Sequence, residues 1–429
     1  MTRRILMLGL FSLQNAGDNA ILRASVSALK KAFPQASVTV ALHDRTLRHP
    51  PESDLHFVGE YLSWITRITP ERGLQVYRWR WFGYVFLILL NLLGYRLGKK
   101  QPLFFRDPEK RALIQAYLDA DLIVACGGGY LYESRKYSPW FIGICFGLAL
   151  AIWLDKPLIF LPQSLGPLPG ALQRSLLKWL VQRARLVLVR DEQSWEFLQN
   201  IGARGNFRRC PDMAFAQETA APALVLDWLK QQGLEWLPGS FTVGLTALNW
   251  DQQFTTFRSA QQVDYESALA QLCDHFIARG CRVVFFPQTS GPIEAHDDRL
   301  AAQRIRQRLL HPEGFILLTQ QPPPDILQAA YGCCRLFVAT RMHSLIFAFN
   351  SGAPAIGIGY LHKMIGVLRW LDWQDWYFDI TALSGVELIE RCEELLRQRE
   401  NLLPLISERR ERLRQQFAAL PAMLQDVLK

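Results

Sequence analysis

Residues 5–42 read ILMLGLFSLQNAGDNAILRASVSALKKAFPQASVTVAL. An apolar run (Ile5–Leu10) gives way to a polar elbow that carries a glycine, Asn15-Ala16-Gly17-Asp18-Asn19. A stretch of helical period follows, Ala20–Phe33, and then a second apolar run of β character, Ala36–Leu42. Strand, turn, helix and strand make a βαβ unit, which predicts a parallel sheet. The elbow admits two readings. It is either a plain turn leading into a capped helix, or a loop that holds an anion or a sugar at a helix N-terminus.

The same rhythm returns along most of the chain. From Lys110 a helix leads to the strand ADLIVACGGGYLY, an apolar helix (Trp140–Leu154) to PLIFLPQSLGP, and the helix ALQRSLLKWLVQRA to RLVLVRDEQS. A linker-like stretch follows CPDMAFA, and a second series opens at Phe241–Trp250. Its strands end in PQTSGP, TRMHS and GIGY, and a charged amphipathic stretch closes the chain from Val386. PQSLGP and PQTSGP recur once in each half, which reads as two related halves. The fold class expected is α/β: two Rossmann-like doubly wound domains facing a cleft, with a C-terminal helical tail. The boundaries expected are 1–225 for an N-terminal, acceptor-side domain, 240–385 for a C-terminal, donor-binding domain, and 386–429 for the tail.

One segment breaks the rhythm. Between Phe82 and Tyr95 the chain runs 14 residues without a charge, flanked by Arg78 and Arg80 on one side and by Arg96, Lys99 and Lys100 on the other. That is short of the ~20 residues that span a bilayer. The insertion near 76–100 is either a buried helix or hairpin of the first domain, or a segment lying in a membrane interface.

Composition narrows the function. The 429 residues are 50% hydrophobic and 20% charged, which is globular, with room for two cores. A net charge of +9 suits anionic ligands or an anionic membrane surface. The basic residues belong to no recognised nucleic-acid module, so no nucleic acid is expected as partner. Eight cysteines without a CxxC pair read as reduced core thiols of a cytoplasmic protein. The N-terminus lacks the long apolar region and cleavage site of a signal peptide.

In open α/β sheets ligands bind beyond the carboxyl ends of strands, and the polar motifs all fall there. Gly127-Gly128-Gly129 allow close approach of backbone, or serve a plain turn. They fit no dinucleotide or Walker fingerprint. Gln163, Ser164, Gln288 and Thr289 either bind sugar hydroxyls or cap helices. Thr340–Ser344 is the sharpest candidate. Arg341 offers a bidentate fork for a carboxylate or phosphate, at the start of an apolar helix whose N-terminus favours anions. His343 offers a proton donor or acceptor near neutral pH. The competing reading is a capped helix with an exposed Arg and a satisfied His. Arg190 presents a second cation at a strand end, or pairs structurally with an aspartate.

Taken in order, NAGDNAI, CGGGYL, PQSLGP, VRDEQS, PDMAF, FFPQT, ATRMHSLIFAFNSGAPAIGIGY and HKMIG resemble the polysaccharide pyruvyl transferase family over roughly residues 5 to 366. The resemblance implies a GT-B-like fold and an enzyme that moves pyruvate from phosphoenolpyruvate to a sugar of an envelope or exopolysaccharide glycan, as a ketal. It implies that Arg341 and His343 bind the donor, with the backbone at Met342 and with Arg190, while Lys363 of HKMIG is a further substrate-binding candidate. His343 is then the expected acid and Asp18 the expected base, which would make the elbow an acceptor-side loop. Phosphoenolpyruvate is substrate, and no cofactor or metal is expected. The acceptor would be lipid-linked or soluble, and the location cytoplasmic, with a peripheral place on the inner face of the cytoplasmic membrane as an option. The alternatives are a GT-B glycosyltransferase that uses a sugar nucleotide, and a non-catalytic scaffold docked at the membrane.

Overall fold

A computed structural model describes residues 3–44, 55–69, 71, 73–236, 241–250, 259–360 and 362–428. The chain forms two compact units. The first comprises Met1–Leu13, Ile21–Met213 and Gln416–Lys429, and the second comprises Gln14–Ala20 and Ala214–Gln415. This division differs from the expected boundaries at both ends. The elbow groups with the second unit, and the closing stretch is no separate domain. Its long helix, Gly385–Ala418, buries Leu388, Cys392, Leu395 and Ile406, because its apolar residues recur at helical spacing.

The first unit holds the strands β1 (Arg4–Leu10), β2 (Ser37–Leu42), β3 (Leu55–Gly59), β4 (Thr66–Thr69), β5 (Gly73–Val76), β6 (Leu122–Ala125), β7 (Gly128–Leu131), β8 (Leu158–Leu165), β9 (Leu186–Val189) and β10 (Phe207–Arg209). Their main sheet runs β10-β9-β8-β6-β1-β2-β3, with β7 paired to β8, while β4 and β5 form a separate antiparallel ribbon. Pairing in the main sheet is parallel throughout, as in β1 with β2 and β1 with β6. Strands of this kind are covered on both faces, which is why β6, β8 and β9 are buried along their whole length.

The second unit holds β11 (Thr242–Thr246), β12 (Arg282–Phe285), β13 (Phe315–Leu317), β14 (Leu336–Ala339), β15 (Ala355–Gly359) and β16 (Tyr377–Asp379), in the order β13-β12-β11-β14-β15-β16. Both sheets therefore have the strand order of a doubly wound Rossmann fold, as the sequence rhythm predicts. The order reverses between β1 and β6 in the first and between β11 and β14 in the second. These are the switch points where such sheets bind ligands.

The two Pro-Gln motifs share a local backbone, each with a cis Gly-Pro peptide, at Gly166-Pro167 and Gly291-Pro292. They are not equivalent by topology. Gln163 and Ser164 lie on β8, two strands beyond β1, whereas Gln288 follows β12, next to β11. The equivalent places are those of Gly127 after β6 and Arg341 after β14. The likeness of the halves thus rests on the doubled strand order and not on the repeated motif.

The segment that breaks the rhythm is one helix, Arg78–Arg96. Ile88 and Leu92 are buried, and Trp81, Tyr84, Leu87 and Tyr95 pack on the core of the first unit. No helix among the described residues is long and apolar enough to cross a membrane.

Candidate functional site

The elbow is a capped helix start and more than that. Asn15 accepts hydrogen bonds through Oδ1 from the backbone N–H of Gly17 at 2.9 Å and of Asp18 at 3.4 Å. The helix accordingly begins at Ala16, four residues before the apolar periodicity suggests. Its first turn is sewn to the loop after β12: Ala16 N–H donates to the Gln288 carbonyl at 2.9 Å, and Ser290 N–H to the Gln14 carbonyl at 3.0 Å. Asn15 and Thr289 form an isolated β-bridge. Gly17 stands against the ring of His343. A Cβ at residue 17 would lie 1.9 Å from His343 Nδ1, so only glycine fits. Asp18 is therefore next to a residue that touches His343, within the second unit. The elbow lies with the residues expected to bind the donor and not with the unit expected to bind the acceptor.

Arg341 follows β14 by two residues and is the N-cap residue of the helix Met342–Ser351, where it makes no side-chain cap. Its guanidinium is instead held by Asp298, which is fully buried and which sequence reading missed. Arg341 Nε donates to Asp298 Oδ1 at 3.1 Å. The other carboxylate oxygen accepts from the backbone N–H of Gln288 at 3.2 Å and of Thr289 at 2.9 Å. One buried carboxylate thus orients both the arginine and the Pro-Gln-Thr loop. Burial pushes the Asp298 carboxyl up to about 6, while the neighbouring Arg341 charge pulls it down. His296, in a short 3-10 turn, is pushed down to about 4 by burial and then by the Arg341 charge, so its imidazole is neutral at pH 7. No motif marks Asp298 or His296 in the sequence. Their only local signal is a polar cluster, Glu294–Asp298, after the Gly-Pro turn.

Gln288 is wholly buried and its Oε1 accepts from Tyr331 Oη at 2.6 Å and Ser344 Oγ at 3.3 Å. Its Nε2 and the Thr289 Oγ1 are buried with no hydrogen-bond partner among the described residues. Buried polar groups left unpaired are costly, and oxygens of a bound molecule would satisfy them. Met342 is the first residue of its helix and partly buried, and Lys363 sits in the first turn of the helix His362–Leu371, after β15.

The remaining candidates belong to the first unit. Arg190 is buried, donates through Nε to Ser164 Oγ at 2.8 Å and pairs through Nη1 with Asp212. The structural partner expected for Arg190 exists, but it is not the adjacent Asp191, which caps the next helix and accepts from Ser164 Oγ at 2.5 Å. Gln163 donates to the Cys126 carbonyl and to Tyr130 Oη, and its Oε1 is buried without a partner among the described residues. A Cβ on Gly127 would lie 3.1 Å from the Pro162 carbonyl oxygen and 3.2 Å from Ile21 Cγ2, and Gly128 has φ +144°. Tight packing and a left-handed backbone by themselves account for both glycines. Among the described residues no group of His, Cys, Asp and Glu is arranged to hold a metal ion.

The second unit thus presents a fixed cation, a histidine two residues into a helix, and unpaired amide and hydroxyl groups, which is the equipment to grip a small dianion and deliver a proton. Residues 15–362 match the family model described as polysaccharide pyruvyl transferase. The amylovoran biosynthesis protein AmsJ of Erwinia amylovora is 23% identical over 310 residues, covering 70% of this chain and 72% of its own. Among solved structures, the UDP-GlcNAc 2-epimerase of Neisseria meningitidis bound to UDP-GlcNAc aligns with a TM-score of 0.55 at 12% identity, over 99% of both chains. Sucrose-phosphate synthase of Thermosynechococcus elongatus aligns at 0.54 and 11% identity, over 99% of this chain and 98% of its own. The solved structures share the two-domain, GT-B-like α/β fold.

Proposed function

This chain belongs to the polysaccharide pyruvyl transferase family, and from that premise we propose that it moves pyruvate from phosphoenolpyruvate onto two hydroxyls of one sugar in a cell-envelope or exopolysaccharide glycan. The observation that carries the donor assignment is Arg341, held by buried Asp298 at the N-terminus of the helix that bears His343. The guanidinium and the helix N-terminus both favour the carboxylate and phosphate of phosphoenolpyruvate.

His343 gives a proton to the methylene carbon, which leaves C2 an oxocarbenium-like centre. One sugar hydroxyl attacks C2, the C2–O bond to phosphate breaks, and the second hydroxyl closes the ketal. The two hydroxyl protons end on the new methyl group and on the released phosphate. Asp18 is the base that accepts the first of them. His296, neutral at pH 7, has no extra proton to give and leaves the proton transfer to His343. The acceptor is a lipid-linked or soluble glycan. A lipid-linked one places the enzyme at the inner face of the cytoplasmic membrane.

The test is phosphate release from phosphoenolpyruvate in the presence of lipid-linked glycan intermediates, with ligand-induced thermal stabilisation read beside it. Phosphoenolpyruvate at 100 times its Kd stabilises the protein by about 2.7 kcal/mol. Stabilisation by nucleotide sugars, with none by phosphoenolpyruvate, refutes the reading in favour of a glycosyltransferase.

A further inference from the structure

The helix Arg78–Arg96 has a second face that the core does not use. Trp79, Phe82, Phe86, Leu89, Leu93 and Leu97 recur at helical spacing and fall within about 80° of arc. They are exposed, Trp79 to 90%, Phe82 to 64%, Phe86 to 61% and Leu97 to 73%. Soluble surfaces scatter such residues singly; a continuous stripe of this size marks a surface with a partner.

The chain beyond the helix extends the stripe. Asn91 is buried, and its Oδ1 accepts from the backbone N–H of Leu103 at 2.7 Å and of Phe104 at 3.3 Å. Its Nδ2 donates to the Leu87 carbonyl at 2.7 Å. A buried amide therefore fixes a loop whose two apolar side chains, Leu103 and Phe104, are exposed. Leu103 lies against Gly94 of the helix. The apolar surface is held in place and is not a frayed end.

Charge identifies the partner. Residues 73–106 contain six Lys and Arg and no Asp or Glu. Arg80, Lys99, Lys100 and Arg106 are exposed. We propose that this face docks on an anionic bilayer surface, with the helix lying in the interface plane and its aromatic and leucine side chains among the headgroups. Exposed Trp and basic side chains around an apolar stripe are the composition such an interface selects. A second copy of the chain fits worse, since two acid-free basic faces would repel. The inference does not depend on the reaction assigned above.

Full-length protein is sedimented with vesicles of phosphatidylcholine containing about one third phosphatidylglycerol, and with vesicles of phosphatidylcholine alone. The protein associates with the anionic vesicles and is released as salt is raised, because screening acts over ~10 Å at 0.1 M. Phe82→Ser with Phe86→Ser lowers association at least about tenfold, by removing two of the exposed rings of the stripe. Lys99→Gln with Lys100→Gln lowers the preference for phosphatidylglycerol about tenfold without removing it. All four positions are exposed, so the thermal midpoint is the control for folding and stays unchanged. Three results overturn the proposal: no association with anionic vesicles at low salt, equal association with both vesicle types, or a solution dimer that the Phe82→Ser, Phe86→Ser variant dissociates.

Discussion

Arg341 pairs with Asp298 in the structure and binds the donor in the proposed reaction, and the two roles separate by mutation. Against a dianion its fork makes charge-assisted bonds worth roughly 1.5–3 kcal/mol, so Arg341→Ala weakens phosphoenolpyruvate binding about ten- to a hundredfold, measured by calorimetry. The same change leaves Asp298 buried without its cation, and breaking a buried pair costs about 3–5 kcal/mol of stability. Arg341→Ala with Asp298→Asn recovers stability but not binding; recovery of both would make Arg341 purely structural. Asp298 and His296 also set opposing pH dependences. The folded carboxyl titrates at about 6 against 3.8 unfolded, so its contribution to stability is full below 3.8 and lost as pH rises to about 6. The folded imidazole titrates at about 4 against 6.5, so the folded state binds fewer protons there and stability rises with pH across that window. The two nearly cancel between pH 4 and 6. Denaturant melts across this range are expected to steepen upward with pH in Asp298→Asn and to fall with pH in His296→Gln.

At the scale of elements, the elbow and the helix Met342–Ser351 meet through one missing side chain. Alanine is a better helix former than glycine by about 1 kcal/mol, so local propensity alone would favour Gly17→Ala. The new methyl would overlap His343 Nδ1, and the imidazole must move. Gly17→Ala therefore lowers turnover, with circular dichroism unchanged. His343→Gln lowers turnover by about 10²–10⁴-fold while donor binding changes less, as expected for loss of an acid. A Gly17→Ala variant with wild-type turnover would show that the place of the ring is immaterial, and would remove His343 from the proton transfer. Neither effect is visible in either helix alone, because each follows its own periodicity and neither carries the contact in its own sequence.

For the whole molecule, the eight cysteines report how the cores are filled. All are free; six are buried, and Cys281 and Cys333 are partly exposed. Burial pushes the thiols of Cys145, Cys273 and Cys392 well above their usual range, which leaves almost no thiolate to react. Titration of the native protein with a thiol reagent is expected to modify Cys281 and Cys333 first, with the other six reacting only on unfolding. Thermal midpoints with and without reductant coincide. Early reaction of Cys126, at the end of β6 and wholly buried, would mean that the first unit opens under native conditions.

The sequence by itself determined the architecture of this protein and the addresses of its polar motifs. Short apolar runs bounded by turn residues, such as Leu186–Val189 and Leu336–Ala339, read as buried parallel strands, and the helices between them carry their own period and caps; all of this is local chemistry. It also placed Arg341 and His343 where a strand gives way to a helix, a junction legible in a few residues. Tertiary structure alone decided which strand ends meet. Asp298 lies 43 residues before Arg341, and the elbow after β1 joins the loop after β12. The equivalence of Gly127 with Arg341, in place of that between the two Pro-Gln motifs, follows from strand order, which crossover connections fix without leaving a local mark. The helix Arg78–Arg96 makes the same point in reverse. Between Phe82 and Tyr95 its sequence carries no charge, and only packing on the core of the first unit could divide it into a face that belongs to the core and a face that does not.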